Sequence, residues 1–481
     1  MRTALTCIVC LAMAGCMVGP NYKRPAAPAS PPFKELAGWK VSEPADAIPK
    51  GPWWSVYRDP ELDRLERTIQ ISNQTVKQYE AQYRNAVALV AQARSSLFPT
   101  LGVSPGVSRS ASVAGLVGAA GGGLGGGIFT QYTLGGTATW TPDLWGSIRR
   151  QIESSTAAAQ VSAADLANAT LSAQATLATD YFDLRAEDSL IQLLTETVAA
   201  ERRAMEITEN QYRAGTANSI DYVTALALLQ STQATLVGVG VQRQQYEHAI
   251  AVLTGRAPAE LTIAPGSLTV TVPVMPPGLP SALLERRPDI AAAERTMQQE
   301  NALIGVEVAT YYPNISLSAM GGFAGNPLST LFYTSSELWS LGASGSEVLF
   351  SGGLRGGLVG AARANYDASV ATYRQTVLTA FQSVEDALSN LRILELQAKA
   401  EATAVASTQK ALDGTLNEYK AGTVVYTSVI TEQTLLLADQ QTLLAIQQSR
   451  LVSSVALIVA LGGGWSTGDL PATIPWAIPA P

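Results

Sequence analysis

Residues 370–419 read VATYRQTVLTAFQSVEDALSNLRILELQAKAEATAVASTQKALDGTLNEY. Every seventh residue of this stretch is apolar or aromatic, and most residues between them are polar or alanine. A seven-residue period kept this long is typical of a helix that supercoils along one seam with neighbouring helices. The stretch would span roughly 75 Å, so it predicts a long, narrow helical assembly. The seam consists of Val370, Val377, Val384, Leu391, Ala398, Val405, Leu412 and Tyr419.

An internal duplication repeats this pattern. Residues 69–97 match 283–311 at a constant spacing of 214, and residues 212–216 match 419–423 at a spacing of 207. Each copy reads as a helix, two strands and two long helices, and the first copy opens with one helix from Asp59-Pro60 to Leu97. The predicted segments are a lipoprotein signal peptide (1–15), a lipid-anchored extended segment (16–58), a first repeat (59–255), an irregular connection (256–280), a second repeat (281–465) and a proline-rich tail (466–481).

Alternating residues at about 100–141 and 314–350 predict two strands in each copy. One face of these strands is apolar or aromatic and the other is serine, threonine and glycine, which suits a membrane barrel with a wet lumen. Tyr132, Trp140 and Trp339 are candidates for its lipid-facing aromatic girdle. Four strands cannot close a barrel, and open edges are not tolerated in hydrocarbon, so closure requires an oligomer. A small soluble sheet that caps a helical stalk is the alternative.

Composition narrows the class of protein. Charged residues are 15% and the net charge is -7, so the chain has no basic footprint for nucleic acid. We find no run of about 20 apolar residues after the N-terminus, so strands would have to cross any membrane. All three cysteines lie in residues 1–16. We interpret Met13-Ala14-Gly15-Cys16 as a lipoprotein cleavage site, with a covalent lipid on Cys16; ordinary signal cleavage is the alternative.

No residue pattern predicts an enzyme. His248 is the only histidine, and it lies in a heptad helix. Gly121, Gly123 and Gly126 match a dinucleotide fingerprint in spacing, but they lie in a glycine tract that leads to a strand, and we interpret them as a loop. The charged residues 285–289 suit a capped helix start. We therefore expect no catalytic residue, no metal and no cofactor besides the lipid.

The pairs Gly215-Thr216 and Gly422-Thr423 interrupt the long helical patterns at matching points. They would lie at the same end of two helical hairpins, so an oligomer would gather them into one ring. We predict a functional mouth at this ring, although an ordinary C-cap glycine followed by a turn would give the same pattern.

Several local motifs recur together in one known family. They are residues 16–25 (CMVGPNYKRP), Trp53-Trp54 before residues 59–62 (DPEL), residues 284–290 (LERRPDI), residues 312–317 (YPNISL), the two Tyr-x-Ala-Gly-Thr turns and residues 461–465 (LGGGW). With these motifs the chain resembles the outer-membrane efflux factors of Gram-negative bacteria, the TolC/OprM kind, in the lipoprotein subgroup.

The resemblance implies a mostly α-helical homotrimer whose twelve strands form one outer-membrane β-barrel, continued by a periplasmic α-barrel of long heptad helices. It implies passive export of drugs, toxic compounds or metal ions that an inner-membrane pump, of the resistance-nodulation-division type, supplies through a periplasmic adaptor. The adaptor would dock on Gly215, Thr216, Gly422 and Thr423. A protein-secretion channel of type I and a coiled-coil lipoprotein scaffold without a channel remain alternatives.

In that family, residues just after the turns narrow the tunnel, commonly with acidic rings. Asp221 matches this pattern in the first copy, but Ser428 and Thr431 stand at the matching positions of the second. We therefore hypothesise that closure depends more on Tyr419, Tyr426 and packing than on charge. The predicted aperture residues are Tyr212, Asp221, Tyr419, Tyr426, Ser428 and Thr431.

Overall fold

A computed structural model describes residues 17–28, 32–35, 52–111, 128–273 and 286–474. The predicted signal peptide, Cys16 and the glycine loop with Gly121, Gly123 and Gly126 lie outside the described residues. The helices are α1 (Pro60–Ser72), α2 (Gln74–Ser95), α3 (Ser147–Arg213), α4 (Ser219–Leu253), α5 (Pro288–Ala309), α6 (Leu354–Lys420) and α7 (Tyr426–Ala460), with short 3-10 turns between them. The strands are β1 (Thr100–Ala111), β2 (Ile128–Trp140), β3 (Asn314–Gly325) and β4 (Glu337–Ser346).

The long helices confirm the internal duplication. Helices α3 and α6 have 67 residues each, and α4 and α7 have 35 residues each. Each 67-residue helix is roughly 100 Å long at 1.5 Å per residue. Both copies therefore build the same hairpin, in which a short helix returns along the last third to half of a long one.

The heptad seam of α6 packs inside the chain. Val377 and Val384 are fully buried, and Leu391, Ala398 and Leu412 are nearly so. Towards its first half the seam packs on α5, and towards its end it packs on α7. Between these contacts lies the largest apolar core, where the middles of α3 and α6 meet the ends of α4 and α7. The predicted seam is confirmed, and its partners are helices of the same chain.

The first helix is interrupted, so the prediction of one helix from Asp59-Pro60 to Leu97 is wrong. Asn73 has extended backbone angles, and its Oδ1 accepts the Val76 N–H at 3.0 Å as the cap of α2. Its Nδ2 donates to the carbonyl of Leu253 at 2.7 Å, and Ser72 Oγ donates to the carbonyl of Thr254 at 2.6 Å. These bonds attach the break to the end of α4. A contact between distant segments therefore overrides a continuous helical pattern.

The strands form one antiparallel sheet in the order β1-β2-β3-β4. Residues opposite each other share a face, and the register gives the sheet two chemically distinct faces. Among the described residues, the outer edges of β1 and β4 have no strand partner. One face carries Leu101, Val103, Val107, Tyr132, Leu134, Trp140, Leu317, Phe323, Trp339 and Leu341, and the other carries Ser104, Ser108, Thr133, Thr137, Thr139, Ser316, Ser318 and Ser340.

Helices α4 and α7 are more apolar than expected. In the part of the chain that the structure describes, both are long and apolar enough by composition to cross a membrane. Neither helix contains an uninterrupted run of about 20 apolar residues, because scattered polar residues break each run. Only 17% of the most apolar window of α4 is buried within one chain. A helix with so much uncovered apolar surface is expected to pack against further protein or lipid.

Candidate functional site at the ends of the long helices

The two hairpin turns have the same backbone geometry. Gly215 and Gly422 adopt left-handed φ angles of +72° and +76°, which glycine permits at no steric cost. The Thr216 N–H donates to the carbonyl of Gln211 at 2.9 Å, and the Thr423 N–H donates to that of Glu418 at 3.0 Å. These bonds satisfy carbonyl groups at the ends of α3 and α6. Both Gly-Thr pairs are exposed, so the two turns, which have the same backbone geometry, are both accessible at the surface.

The helices that follow the turns begin differently. Asn218 caps α4, because its side chain accepts the Ile220 N–H at 3.3 Å. Val425 precedes α7 and gives no side-chain cap. Asp221 lies in the first turn of α4, where a carboxylate suits the helix dipole. The first turn region is therefore more polar than the second.

Each turn region has an aromatic pair. The rings of Tyr212 and Tyr222 are parallel within 3° with centroids 6.3 Å apart. The rings of Tyr419 and Tyr426 are tilted by 57° with centroids 5.2 Å apart. Tyr212 is 47% exposed, whereas Tyr426 is 3% exposed. Of the predicted aperture residues, Tyr426 therefore packs in the wall of the hairpins, and Tyr212 is available at the surface.

A hydrogen bond connects the two copies at this end. The hydroxyl of Tyr419 on α6 donates to Oε1 of Gln211 on α3 at 2.7 Å. Gln211 was not among the predicted site residues, because a glutamine on a helix is usually solvated and its partner is 208 residues away in sequence. Tyr419 also packs against a small apolar cluster that joins α4, α6 and α7. The buried members of this cluster are Ala225, Leu412, Tyr426, Val429 and Leu436.

Burial and nearby acids raise the pKa of two of these tyrosines, Tyr419 and Tyr426. Burial, with smaller effects of Tyr419, Glu201 and Asp221, raises the pKa of Tyr426 to about 12. Burial, with a smaller effect of Asp221, also raises the pKa of Tyr419. Asp221 is half-buried, and its charge lies close enough to act on both tyrosines. At neutral pH both hydroxyls therefore keep their protons, and Tyr419 remains a hydrogen-bond donor.

The second copy places no charge at the positions that match the acidic pattern. Ser428 is half-buried. Thr431 is exposed, and its hydroxyl donates to the carbonyl of Thr427 at 3.1 Å within α7. The neighbouring Glu432 is half-buried on the same helix. This arrangement supports the hypothesis that packing and hydrogen bonds contribute more than charge to this end of the hairpins.

The predicted girdle residues lie on the apolar face of the sheet. Trp140 is at the end next to the helices, where its Nε1 donates to the carbonyl of Leu97 at 3.0 Å. Tyr132 lies eight residues before Trp140 on β2, or roughly 26 Å away at 3.3 Å per residue, which is close to the height of a barrel's apolar band. Trp339 pairs with Gly321, which pairs with Gly136 on β2. Because Gly136 is midway between Tyr132 and Trp140, Trp339 lies at a height between these two residues.

The residues just after Cys16 lie where the sheet joins the helices. The Val18 N–H donates to the carbonyl of Trp145 at 3.1 Å. Arg150, only 1% exposed, donates to the carbonyls of Val18 and Gly19, each at 3.2 Å. A Cβ added to Gly146 would lie 2.7 Å from Met17, so the chain passes this point in tight contact. The N-terminal segment is therefore fixed at the base of the sheet.

Comparison with known proteins gives matches over nearly the whole chain. The family model described as outer membrane efflux protein matches residues 66–256 and 279–463. Outer membrane protein OprJ of Pseudomonas aeruginosa is 27% identical over 464 residues, covering 96% of this chain and 95% of that protein. Solvent efflux pump outer membrane protein SrpC of Pseudomonas putida is 29% identical over 471 residues, covering 95% and 97%.

The fold also matches a solved structure. The outer-membrane channel OprN superposes with a TM-score of 0.87 at 28% sequence identity, covering 94% of this chain and all of that one. The match includes both the sheet and the helical hairpins, since so little of either chain is left out.

Proposed function

This chain belongs to the outer membrane efflux protein family, and we propose that three copies of it form one channel that conducts small molecules passively out of the cell. The protein is an outer-membrane efflux component with a long periplasmic helical part. The number of copies, the substrates, the partners and the lipid are the proposal, and each is supported by a feature of the molecule or by its relatives.

The sheet gives the main support for the proposed trimeric channel. Its apolar face is strongly exposed, with Val103 at 76% and Leu341 at 76%. Its opposite face is lined mainly by serine, threonine and glycine, and the outer edges of β1 and β4 lack partners among the described residues. Such a sheet is stable in a bilayer only if the edges pair between chains into a closed barrel. Three chains would supply twelve strands.

The helices support the same assembly. Helix α4 exposes a row of apolar residues that no other described element covers. Contact with the next copy would cover this surface and close the hairpins into a tube. The exposed residues are Ile220, Val223, Val237, Val241 and Val252.

The exposed turns favour a docked partner. Gly215, Thr216, Gly422 and Thr423 stand at the ends of the hairpins furthest from the sheet, with no side chain covering them in the described residues. We propose that a periplasmic adaptor docks on them and connects the channel to an inner-membrane pump of the resistance-nodulation-division type. The channel itself would then need no energy source, and no catalytic residue is proposed.

Small molecules are the favoured substrates. Relatives of this chain are named as solvent, toluene and antibiotic efflux pump outer membrane proteins. A type I protein-secretion channel is the second candidate, but these relatives, similar over nearly their full length, favour small-molecule efflux. The position of Met17 at the base of the sheet suits a covalent lipid on Cys16, because the acyl chains would start at the membrane surface. Mass spectrometry of the N-terminal peptide tests the lipid.

Two measurements test the channel, and a third tests its substrates. We expect the protein, purified from outer membranes, to migrate as a trimer that heat dissociates, and to give single-channel conductance in planar bilayers. Cells that lack the gene should become more sensitive to solvents or antibiotics. A monomer without conductance would reject the channel and support a lipoprotein scaffold. Conductance accompanied by loss of a secreted protein, with unchanged drug sensitivity, would support protein secretion.

A further inference from the structure

Glu201 is a buried carboxyl group that lies 11 residues before Tyr212 in the sequence. It lies on α3 and is 4% exposed. Its Oε1 accepts a hydrogen bond from Thr232 Oγ1 of α4 at 3.1 Å. Its Oε2 is buried and has no hydrogen-bond partner among the described residues. A buried carboxylate with one of its two oxygens unpaired is costly, and natural proteins keep few of them.

Among the described residues, no cation compensates the charge of Glu201. Burial raises its pKa, and only the bond from Thr232 opposes this effect. Its neighbours in sequence on α3, Arg202 and Arg203, are exposed to solvent. On the packed helices, Asp221 of α4, Tyr419 of α6 and Tyr426 of α7 interact electrostatically at this junction, and Glu432 is the first acidic residue of α7.

Glu201 acts on an aperture residue. Its charge contributes to the raised pKa of Tyr426, so the two side chains interact electrostatically. Tyr426 in turn packs against Tyr419, whose hydroxyl binds Gln211 on α3. Glu201 therefore lies where α3, α4 and the start of α7 come together, behind the bond that connects the two hairpins.

We propose that Glu201 is a positioning residue for the aperture: with its proton it holds α3 against α4 and α7, and without its proton it loosens this junction. An ionised carboxylate at this position requires water, and water can enter only if the helices separate. The aperture would therefore close more firmly at acidic pH and open more easily at alkaline pH. This inference rests on the proposed channel function for its consequence, but the movement of the helix ends can be measured without conductance.

The test uses the full-length protein with spin labels on Thr216→Cys and Thr423→Cys, one on each turn. We expect the distance distribution between the two labels to broaden and lengthen between pH 5 and pH 9. Glu201→Gln keeps an acceptor for Thr232 but cannot ionise, so its distribution should stay at the acidic form over the whole range. Glu206→Gln, an exposed glutamate on the same helix, is the matched control and should behave as the parent.

A second variant separates titration from simple packing. Thr232→Val removes the only hydrogen bond that favours ionised Glu201, so it should move the midpoint of the transition to higher pH. A purely structural role would change the distances without moving the midpoint. In planar bilayers, the open fraction should change by up to about tenfold per pH unit for one fully coupled proton.

The outcomes are distinct. A parent protein whose label distances do not depend on pH, or a Glu201→Gln variant with the parental pH dependence, overturns the role of Glu201. Distances that respond to pH through Glu201 support this role even if no variant conducts. In that case the absence of conductance rejects only the proposed channel.

Discussion

The hydroxyl of Tyr419 donates a hydrogen bond to Oε1 of Gln211 at 2.7 Å, and this bond joins the end of one hairpin to the end of the other. Each partner comes from a different copy of the internal duplication. The bond crosses between two helices that would have to move apart for a wider opening. In the proposed channel, this bond would therefore favour the closed arrangement.

Removing this bond should make the channel leak. Tyr419→Phe keeps the ring and deletes the hydroxyl, at a net cost of about 1 kcal/mol, or roughly fivefold in a closed-to-open equilibrium. We expect higher open probability in planar bilayers, and Gln211→Ala should have a similar effect. Tyr212→Phe is the control, since the Tyr212 hydroxyl has no hydrogen bond within the described residues. An equal leak in this control would rule out the specific bond.

Packing should matter more than charge at the mouth. Tyr426 is buried in the apolar cluster of the hairpin ends, whereas Asp221 is half-buried. Tyr426→Ala should cost about 3 to 5 kcal/mol of local packing, the usual range for a buried aromatic residue. We therefore expect a larger increase in single-channel conductance for Tyr426→Ala than for Asp221→Ala. If Asp221→Ala alone opens the pore, charge closes the mouth and the hypothesis is wrong.

Neighbouring positions on β1 should respond oppositely to arginine. Val103 lies on the apolar face and Ser104 on the polar face of the same strand. Val103→Arg should cost about 2 to 4 kcal/mol near the middle of a bilayer, and it should reduce the amount of heat-dissociable trimer in outer membranes. Ser104→Arg should leave assembly intact and change only the ion selectivity. Reversed results would mean that the faces are assigned the wrong way round.

The carboxyl of Glu66 should make the core less stable at alkaline pH. It is fully buried on α1 with both oxygens unpaired among the described residues, and burial raises its pKa well above the usual value. The folded state therefore binds this proton more tightly than the unfolded state. Above the usual pKa of the carboxyl, stability should fall with rising pH, by about 1.4 kcal/mol per unit until the folded pKa is reached.

Glu66→Gln should remove this dependence. The variant should melt at a higher temperature than the parent at pH 8, and the two should be nearly equal at pH 4.5, as measured by thermal unfolding in detergent. Glu61→Gln is the control. Glu61 pairs with Arg64, and this bond lowers its pKa, so the substitution should cost stability at neutral pH instead. A lower melting temperature for Glu66→Gln at pH 8 would show that the carboxylate has a partner.

Periodic features of the sequence predicted most of the fold. The seven-residue seam of α6 is buried as its spacing indicates, and the alternation around Val103 and Ser104 separates the two faces of the sheet. Both predictions concern residues whose neighbours are close in sequence or repeat regularly. The matching turns at Gly215 and Gly422 were also predictable, because each carries its own capping signal.

Features that depend on distant contacts were not predictable. The break at Asn73 needs the end of α4, about 180 residues away. Glu66 and Glu201 look like solvated residues in a helical pattern, and only packing from other helices shows that they are buried. Gln211 is similar, since its partner Tyr419 belongs to the other copy. No short-range signal marks Glu66, Glu201 or Gln211.

The equal lengths of the two hairpins affect how many partner subunits the proposed trimer could bind. In the proposed trimer, three chains would present six helical ends at the same level, and each end would carry the same Tyr-x-Ala-Gly-Thr motif. A partner could therefore follow a sixfold arrangement around a threefold channel. Because Asn218 caps only the first helix of this kind and Val425 leaves the second uncapped, alternate positions would differ chemically. The six subunits in a ring of identical partners would then occupy two kinds of binding site, with three sites of each kind.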